Sequence, residues 1–170
     1  IRLIELLPGR SPDPIRCNLQ ATPLARSVKY ECLSYCWGDT KNVVIILCNG
    51  VSLPVTANLM GALQALRQED KPRRVWVDAI CINQGSIPER NQQVAVMRDI
   101  YRNATRTVVW LGYEADDSNA ALAIVPDLLT VRNTFGHRGD SSTPVEQARQ
   151  AFLTLLQRPW FSRVWIVQEV

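Results

Sequence analysis

The chain has 170 residues, of which 46% are hydrophobic and 21% are charged, a composition typical of one globular domain with a sizeable core. Its net charge of +3 is too small to indicate nucleic acid or an anionic membrane surface as a partner. No apolar run reaches the roughly 18 residues needed to cross a bilayer, and no secretory signal peptide is visible. We therefore expect a soluble, cytoplasmic protein without a membrane span, which forms the N-terminal part of a longer protein.

Five cysteines and a single histidine limit the metal and redox chemistry. The cysteine count is odd, no C-x-x-C pair occurs, and most of the cysteines lie in apolar, strand-like segments. Reduced and buried thiols in an intracellular protein are therefore expected. One histidine argues against a structural zinc site, and the lack of G-x-G-x-x-G and P-loop motifs argues against a Rossmann cofactor or a nucleoside triphosphate. We expect no metal and no cofactor.

The first half of the chain predicts strands and one hairpin. Residues 1–7 and 30–36 are apolar and strand-like, and each run ends in a turn-forming sequence. Two further apolar runs, 43–48 and 51–55, surround an Asn-Gly pair at 49–50. This pair is the strongest short hairpin signal, because it supplies the two positive-φ positions of a type I′ turn.

Helices are predicted after the hairpin and in the last third of the chain. Thr56 or Asn58 can cap a first helix, and an apolar face then recurs at helical spacing. That face consists of Leu59, Ala62, Leu63 and Leu66. Later, 116–129 and 145–157 are predicted helices, and the Gly-, Ser- and Thr-rich segment 132–144 between them is a predicted loop.

Residues 75–111 have the pattern of strand, loop, helix and strand. The strands at 75–80 and 107–111 are rich in β-branched residues, and Ser86 with Glu89 matches the S-x-x-E capping box at the start of a helix. The apolar face of that helix consists of Val94, Met97, Ile100, Tyr101 and Ala104. Strands joined through a helix are normally parallel, so we expect an α/β domain whose ligands bind at the carboxyl edge of the sheet.

Three blocks of sequence carry a resemblance to a known family. They are LSYCWG at 33–38, VWVDAICINQ at 75–84 continuing to WLG at 110–112, and RPWFSRVWIVQE at 158–169. In order and spacing these blocks resemble the fungal heterokaryon incompatibility (HET) domain. One small departure is Gly85, where that family often has an acidic residue. The resemblance implies a role in fungal non-self recognition that triggers cell death after cell fusion.

HET domains have been likened to Toll/interleukin-1 receptor (TIR) domains, which are flavodoxin-like α/β folds. Several TIR domains hydrolyse NAD at the nicotinamide–ribose bond. By this likeness, 30–35, 75–78 and 107–111 resemble the first three TIR strands. The W-x-x-x-E sequence at 165–169 resembles the TIR helix that carries the catalytic glutamate, although about 50 residues separate it from the third strand.

The resemblance also implies how the domain is organised. We expect a TIR-like α/β fold, in which a mainly parallel sheet is flanked by helices and an N-terminal β-hairpin is added. One HET domain would cover residues 1–170, with the TIR-like core starting at about residue 30. Within it, 43–55 would be a hairpin insertion and 113–157 a helical insertion.

Glu169 is the expected catalytic residue. Cleavage of the nicotinamide–ribose bond passes through an oxocarbenium-like state, and a carboxylate beside the sugar stabilises its positive charge. Trp165 lies one helical turn earlier and can form a wall of the same site. The alternative role for Glu169 is that of a surface residue paired with Arg163 or another arginine.

Further residues are expected to bind substrate, and each has an alternative role in the fold. They are Tyr35, Trp37, Gly38, Asp78, Asn83, Gln84 and Arg90. Asp78 can instead cap the turn after its strand, Trp37 can belong to the core, and the Asn83 and Gln84 amides can tie down the loop backbone. Arg90 can clamp a pyrophosphate or pair with an acidic residue such as Asp99.

Two functions remain open at this stage. The domain is either a nucleotide hydrolase that uses NAD as substrate, or a non-enzymatic module that self-assembles and recruits death machinery. In both cases we expect homo-oligomerisation on activation, partner domains in the full-length protein and no nucleic acid. The two functions differ in whether Glu169 lies in a pocket open to solvent or packs against the chain's own arginines.

Overall fold

The structure, a computed structural model, describes residues 1–126, 144–164 and 166–169. These residues form two compact units: one comprises Ile1–Gly112 and Arg163–Val170, and the other comprises Tyr113–Ser162. The first unit contains a seven-stranded sheet with helices, and the second is helical. Among the described residues, no helix has both the length and the apolar character needed to cross a bilayer.

The first unit begins with five consecutive strands, and helices and strands are interspersed only after them. The strands are β1 (Arg2–Leu6), β2 (Arg16–Ala21), β3 (Glu31–Tyr35), β4 (Val43–Cys48), β5 (Val51–Thr56), β6 (Arg73–Trp76) and β7 (Arg106–Trp110). The helices are α1 (Ala57–Leu66), α2 (Asp78–Cys81), α3 (Ile87–Asn103), α4 (Ser118–Ala123), α5 (Pro144–Leu156) and α6 (Ile166–Glu169), with a 3₁₀ helix at Pro159–Ser162.

The sheet has the order β5-β4-β2-β1-β6-β3-β7. Strand β3 lies between β6 and β7 and is parallel to both, which confirms that the three strands predicted from the βαβ pattern share one sheet in parallel. The expectation of a mainly parallel sheet is wrong for the sheet as a whole, which is mixed: β2 and β4 are also parallel, but three other pairs are not. The pairs β1–β2, β1–β6 and β4–β5 are antiparallel, because the N-terminal strands extend the sheet on the β6 side.

The predicted hairpin is confirmed as β4 and β5, which pair antiparallel from Val43 opposite Thr56 to Cys48 opposite Val51. Its turn has φ of 52° at Asn49 and 77° at Gly50, the left-handed values that a type I′ turn requires. The hairpin joins the same sheet through β2, a strand that the sequence analysis missed. The signal for β2 was present in the alternation of polar and apolar residues over its length.

Two details of the predicted βαβ segment are wrong. Strand β6 ends at Trp76, and a short helix, α2, begins at Asp78. The change of structure occurs because the Asp78 carboxylate accepts the Ala79 backbone N–H at 2.7 Å and so favours a turn. An apolar run that is buried throughout does not distinguish a strand from a short helix by its periodicity.

The capping box of α3 is only half formed. The Ser86 hydroxyl accepts the Glu89 backbone N–H at 3.4 Å, as predicted, and Pro88 lies in the first turn. The Glu89 side chain does not return to the Ser86 backbone. It instead accepts the Asn83 N–H at 2.8 Å and pairs with Arg2 on β1. Glu89 thus fixes the loop that precedes the helix.

The helices pack by the faces that the spacing predicted, with one exception. All four predicted apolar residues of α1 are buried, and Thr56 caps that helix by accepting the Leu59 N–H at 3.3 Å. Met97, Ile100 and Tyr101 of α3 are buried, whereas Val94 is largely exposed. Tyr30 and Tyr101 donate their hydroxyls to backbone carbonyl oxygens of α3 and β3. These contacts bury β3 at the centre of the core.

In the second unit, α4 and α5 pack against each other. The side chains of Ala121 and Leu155 are buried there, and Arg158 donates to the Tyr113 and Ala115 carbonyl oxygens at 3.2 and 3.0 Å. Residues 132–143 of the loop predicted at 132–144, and the end of the helix predicted at 116–129, lie outside the described residues.

Candidate functional site

A polar cluster lies where the central parallel strand β3 ends. Ser34 is the penultimate residue of β3, and Glu169 is the last residue of α6. Both Glu169 carboxylate oxygens accept from the Arg163 guanidinium, at 2.8 Å each. Ser34 Oγ donates to Glu169 Oε2 and accepts from Arg163 Nη1 at 3.3 Å. The cluster is therefore a closed three-member hydrogen-bond network inside the first unit.

The Ser34 and Glu169 members of this network are closed to solvent, whereas the Arg163 side chain is 19% exposed. Glu169 is 3% exposed and Ser34 is fully buried, while α6 packs on α3. The backbone carbonyl of Glu169 accepts the Thr107 hydroxyl of β7 at 2.8 Å. Bonds to Glu169 outweigh the burial that disfavours a charged guanidinium, so the pKa of Arg163 rises above its usual value. Arg163 is therefore a permanent cation, and the network holds the end of α6 onto β3 and β7.

Asp78 organises a second polar group beside the first. Its carboxylate accepts the Trp37 indole N–H at 2.8 Å, and the Gln84 amide donates to its backbone oxygen at 2.9 Å. Burial raises the pKa of the Asp78 carboxyl, although the Trp37 and backbone donors oppose that rise. Burial likewise raises the pKa of Tyr35, with the charge of Asp78 as a further cause.

The charged residues of the first group influence the pKa of Asp78 in the second. The Arg163 cation lowers the pKa of Asp78, and the Glu169 anion raises it, both to a smaller extent than burial does. Asp78 follows β6, whereas Ser34 lies at the end of the adjacent strand β3. The parallel pairing of these strands is the reason that residues distant in the sequence converge at one edge of the sheet.

Trp37 and Gly38 lie in the turn that leaves β3. Trp37 is 41% exposed, so it does not belong to the core. Gly38 has φ of 75°, and a Cβ there would lie 3.2 Å from the Cβ of Asn58. Asn58 links this turn to the neighbouring strand, because it donates to the Cys36 carbonyl at 2.6 Å and accepts the Trp110 indole N–H at 3.0 Å.

The remaining predicted site residues are not part of the cluster or are not described. Asn83 ties down its own loop, which matches its alternative role. Its backbone N–H donates to the Glu89 carboxylate, and its Oδ1 accepts the Gly85 N–H at 3.1 Å. Arg90 is exposed and forms no ion pair in the part of the chain that the structure describes. Trp165 lies outside the described residues.

Sequence analysis missed three participants. Arg163 was considered only as a surface partner of Glu169, whereas the pair is buried. Ser34 and Asn58 were not considered as functional residues. Ser34 lies in a predicted strand that is buried on both faces, so period-2 alternation did not single it out. Asn58 gave no sequence signal beyond its capping potential, because its partners lie 22 and 52 residues away.

The opposite face of β3 carries a groove of about 430 Å³. Its lining includes Leu33, Ala62, Leu66, Val108 and Trp110, and it does not include the residues of the polar cluster. Leu33 and Ser34 are consecutive in the strand and so point to opposite faces. No group of three or more His, Cys, Asp or Glu side chains among the described residues is arranged to hold a metal ion.

Comparisons with known proteins identify the family. The family profile described as "Heterokaryon incompatibility protein (HET)" matches residues 30–169. Heterokaryon incompatibility protein 6, OR allele, of Neurospora crassa is 30% identical over 99% of this chain. The chain spans 31% of the length of that relative. No solved structure shows a significant match to the chain. The chain therefore belongs to the heterokaryon incompatibility (HET) family.

Proposed function

We propose that this domain triggers cell death in fungal heterokaryon incompatibility and that it does so as a self-assembling interaction module. The observation that carries the proposal is the state of Glu169. Its carboxylate is 3% exposed and is paired on both oxygens with Arg163. Of the two environments expected for Glu169, this one favours a structural residue over a catalytic one.

The chemistry of the pair supports this choice. A catalytic carboxylate must contact the ribose in the transition state, but the Glu169 oxygens are already occupied by Arg163 and Ser34. Releasing a buried carboxylate from its cation costs several kcal/mol, because both charges then lack partners in a medium of low polarity. Glu169 is better suited to fixing α6 on the sheet than to meeting a substrate.

The outer side of the same segment offers an assembly surface. Val164 and Val167 are 84% and 86% exposed, the highest values among the large apolar side chains of the described residues. The two residues are three positions apart in the sequence and lie close to the buried Glu169, so we propose that they form one apolar patch. We take a second copy of the chain as its occupant, since the proposed module homo-oligomerises on activation.

The test replaces both valines by asparagine. Because both side chains are exposed, the V164N/V167N variant should keep the wild-type fold but lose concentration-dependent assembly in light scattering and lose cell killing at least tenfold. The matched control is Val51→Asn, since Val51 is also well exposed but lies on the hairpin. Wild-type assembly and killing by the folded double variant would contradict the assembly surface.

NAD hydrolysis is the second candidate, and the sheet topology favours it. In chain order the three parallel strands are β3, β6 and β7, so their spatial order β6-β3-β7 is 2-1-3, the order with which a flavodoxin-like sheet begins. This order supports the proposed likeness to TIR domains. Asp78, Tyr35 and Trp37 also gather at the carboxyl edge, where ligands of open α/β sheets bind.

This second function requires Arg163 to leave Glu169, so that the carboxylate can face the ribose of NAD. Incubating the concentrated protein with NAD and measuring nicotinamide release tests it directly. Release that rises with protein concentration and is lost in a folded Glu169→Gln variant would establish hydrolysis and displace the module proposal. We expect no release above that of the buffer.

A further inference from the structure

Two cysteines face each other where the hairpin joins the sheet. Cys17 on β2 and Cys48 at the end of β4 are register partners in a parallel pairing. That pairing contains only one further pair, Arg16 with Leu47. The backbone N–H of Asn49 also donates to the Cys17 carbonyl at 2.9 Å. The connection between the hairpin and the rest of the sheet is therefore short, and the two thiols lie within it.

The geometry of neighbouring strands brings the two sulfur atoms together. Adjacent strands lie about 4.8 Å apart, and disulfides join Cα atoms that are roughly 4.4–6.8 Å apart. Register partners point to the same face of a sheet, so the Cys17 and Cys48 side chains lie side by side. Cys48 is the last residue of β4, next to the Asn-Gly turn, so it can adjust its backbone more readily than a residue inside a strand.

The two thiols differ in access. Cys17 is 2% exposed, and burial with the neighbouring Cys48 raises its pKa far above that of a free thiol. Cys48 is half-buried and can be reached from solvent. An oxidant in solution therefore reacts with Cys48 first. Cys17, the register partner of Cys48, is then the adjacent thiol that can react with the oxidised sulfur.

We infer that Cys17 and Cys48 form an oxidation site that a hydroperoxide converts into a disulfide. The Cys48 thiolate attacks one peroxide oxygen, the O–O bond breaks, and a sulfenic acid forms with release of water after protonation. The Cys17 sulfur then attacks the Cys48 sulfur. The S–O bond breaks, the Cys17 proton joins the departing hydroxide as a second water, and the S–S bond forms. Two thiols lose two electrons in total, and hydrogen peroxide is reduced to two waters.

The product would attach the hairpin covalently to β2. The raised pKa of Cys17 makes the second step slow, so the disulfide should form over minutes to hours rather than seconds. Cys81 and Cys32 are less suitable partners, because both are buried in the core and neither is a register partner of Cys48. The site is independent of which of the two proposed functions is correct.

The experiment treats the wild-type protein with a small excess of hydrogen peroxide, denatures it, alkylates the remaining thiols and maps the peptides by mass spectrometry. The matched controls are C48S and C36S, because Cys36 is also half-buried but has no cysteine as its register partner. The wild-type mapping needs no variant to fold.

The expected result is a mass loss of about 2 Da, a linked peptide that contains Cys17 and Cys48, and recovery of both thiols on reduction. C36S should behave as the wild type, and C48S should leave Cys17 fully open to alkylation. The inference is overturned if Cys17 is still alkylated after Cys48 has been oxidised, or if Cys48 is found linked only to a second copy of the chain.

Discussion

Two glutamates contact opposite ends of the same central strand, and both bind arginine. Glu31, the first residue of β3, pairs with Arg73 and Arg106 at the amino end of the parallel strands. Arg106 is 64% exposed, and the cluster borders a groove of about 470 Å³ that is open to water. Glu169 reaches the other end of β3 from α6, and there its carboxylate is 3% exposed and pairs with the half-buried Arg163.

The difference shows how solvent decides what an arginine–glutamate pair contributes. Burial disfavours the charge on Glu31, but hydrogen bonds from Arg73 and Arg106 outweigh it and keep the pKa of Glu31 below its usual range. The Glu31 carboxylate is 14% exposed and pairs with two arginines, so the loss of one arginine leaves it partly compensated and has a modest effect on stability. Glu169 is only 3% exposed and pairs with Arg163 alone among the described arginines, so the removal of Arg163 leaves a buried charge unpaired.

The largest effect is expected at Glu169. Glu169→Gln should lower the free energy of unfolding by about 3 kcal/mol, because Arg163 then keeps its charge in a buried site. Chemical denaturation measures the loss, and a change below about 1 kcal/mol would mean that the pair is solvated in solution.

Ser34→Ala should have an intermediate effect of about 1.5 kcal/mol. It removes one hydrogen bond to the Glu169 carboxylate but leaves the two bonds from Arg163 in place. Denaturation of the single variants and of Ser34→Ala combined with Glu169→Gln gives the coupling between the two residues. Additive effects would show that the hydroxyl does not act through the carboxylate.

Glu31→Gln should cost about 1 kcal/mol at neutral pH, and the cost should depend on pH. Because the folded-state pKa of Glu31 is lowered, its contribution is fully present above the unfolded value of about 4.5 and is lost as the pH falls through the folded pKa. The difference in stability between the wild type and the variant should therefore shrink as the pH falls from 4.5 through the lowered folded-state pKa. A constant difference down to pH 3 would show that the ionised carboxylate is not responsible.

The smallest effect is expected at Ser86. Ser86→Ala should cost about 0.5 kcal/mol, the lower end for loss of a helix cap, because the Ser86 contact is long at 3.4 Å and Glu89 holds the preceding loop independently. The same denaturation assay measures it. A loss above about 2 kcal/mol would show that the full capping box forms in solution.

Local sequence patterns predicted most of the sheet. The Asn-Gly pair at 49–50 dictated the hairpin by its backbone requirement, an apolar run located β3, and β-branched runs located β6 and β7. The site was predictable where its contacts are set by strand ends. Asp78 and Trp37 both follow parallel neighbours, so they meet at one edge.

The environment of Glu169 was not predictable in the same way. Its partner Ser34 is 135 residues distant, and whether a carboxylate is sealed or open depends on how α6 packs on α3. The W-x-x-x-E pattern indicates which residues share a helical face, but the same spacing serves a catalytic and a structural glutamate. Helix α2 was missed for a related reason, since its side chains are as buried as those of a strand.

The most direct test of the central claim removes both charges of the sealed pair together. A buried ion pair can be replaced by apolar side chains of similar size with little loss of stability, so Arg163→Met combined with Glu169→Met should fold. If Glu169 is structural, cells that express this variant at wild-type levels should die at a rate within about twofold of wild type. A folded variant whose killing falls roughly a hundredfold or more, the size expected for loss of a charge-stabilising catalytic group, would contradict the account.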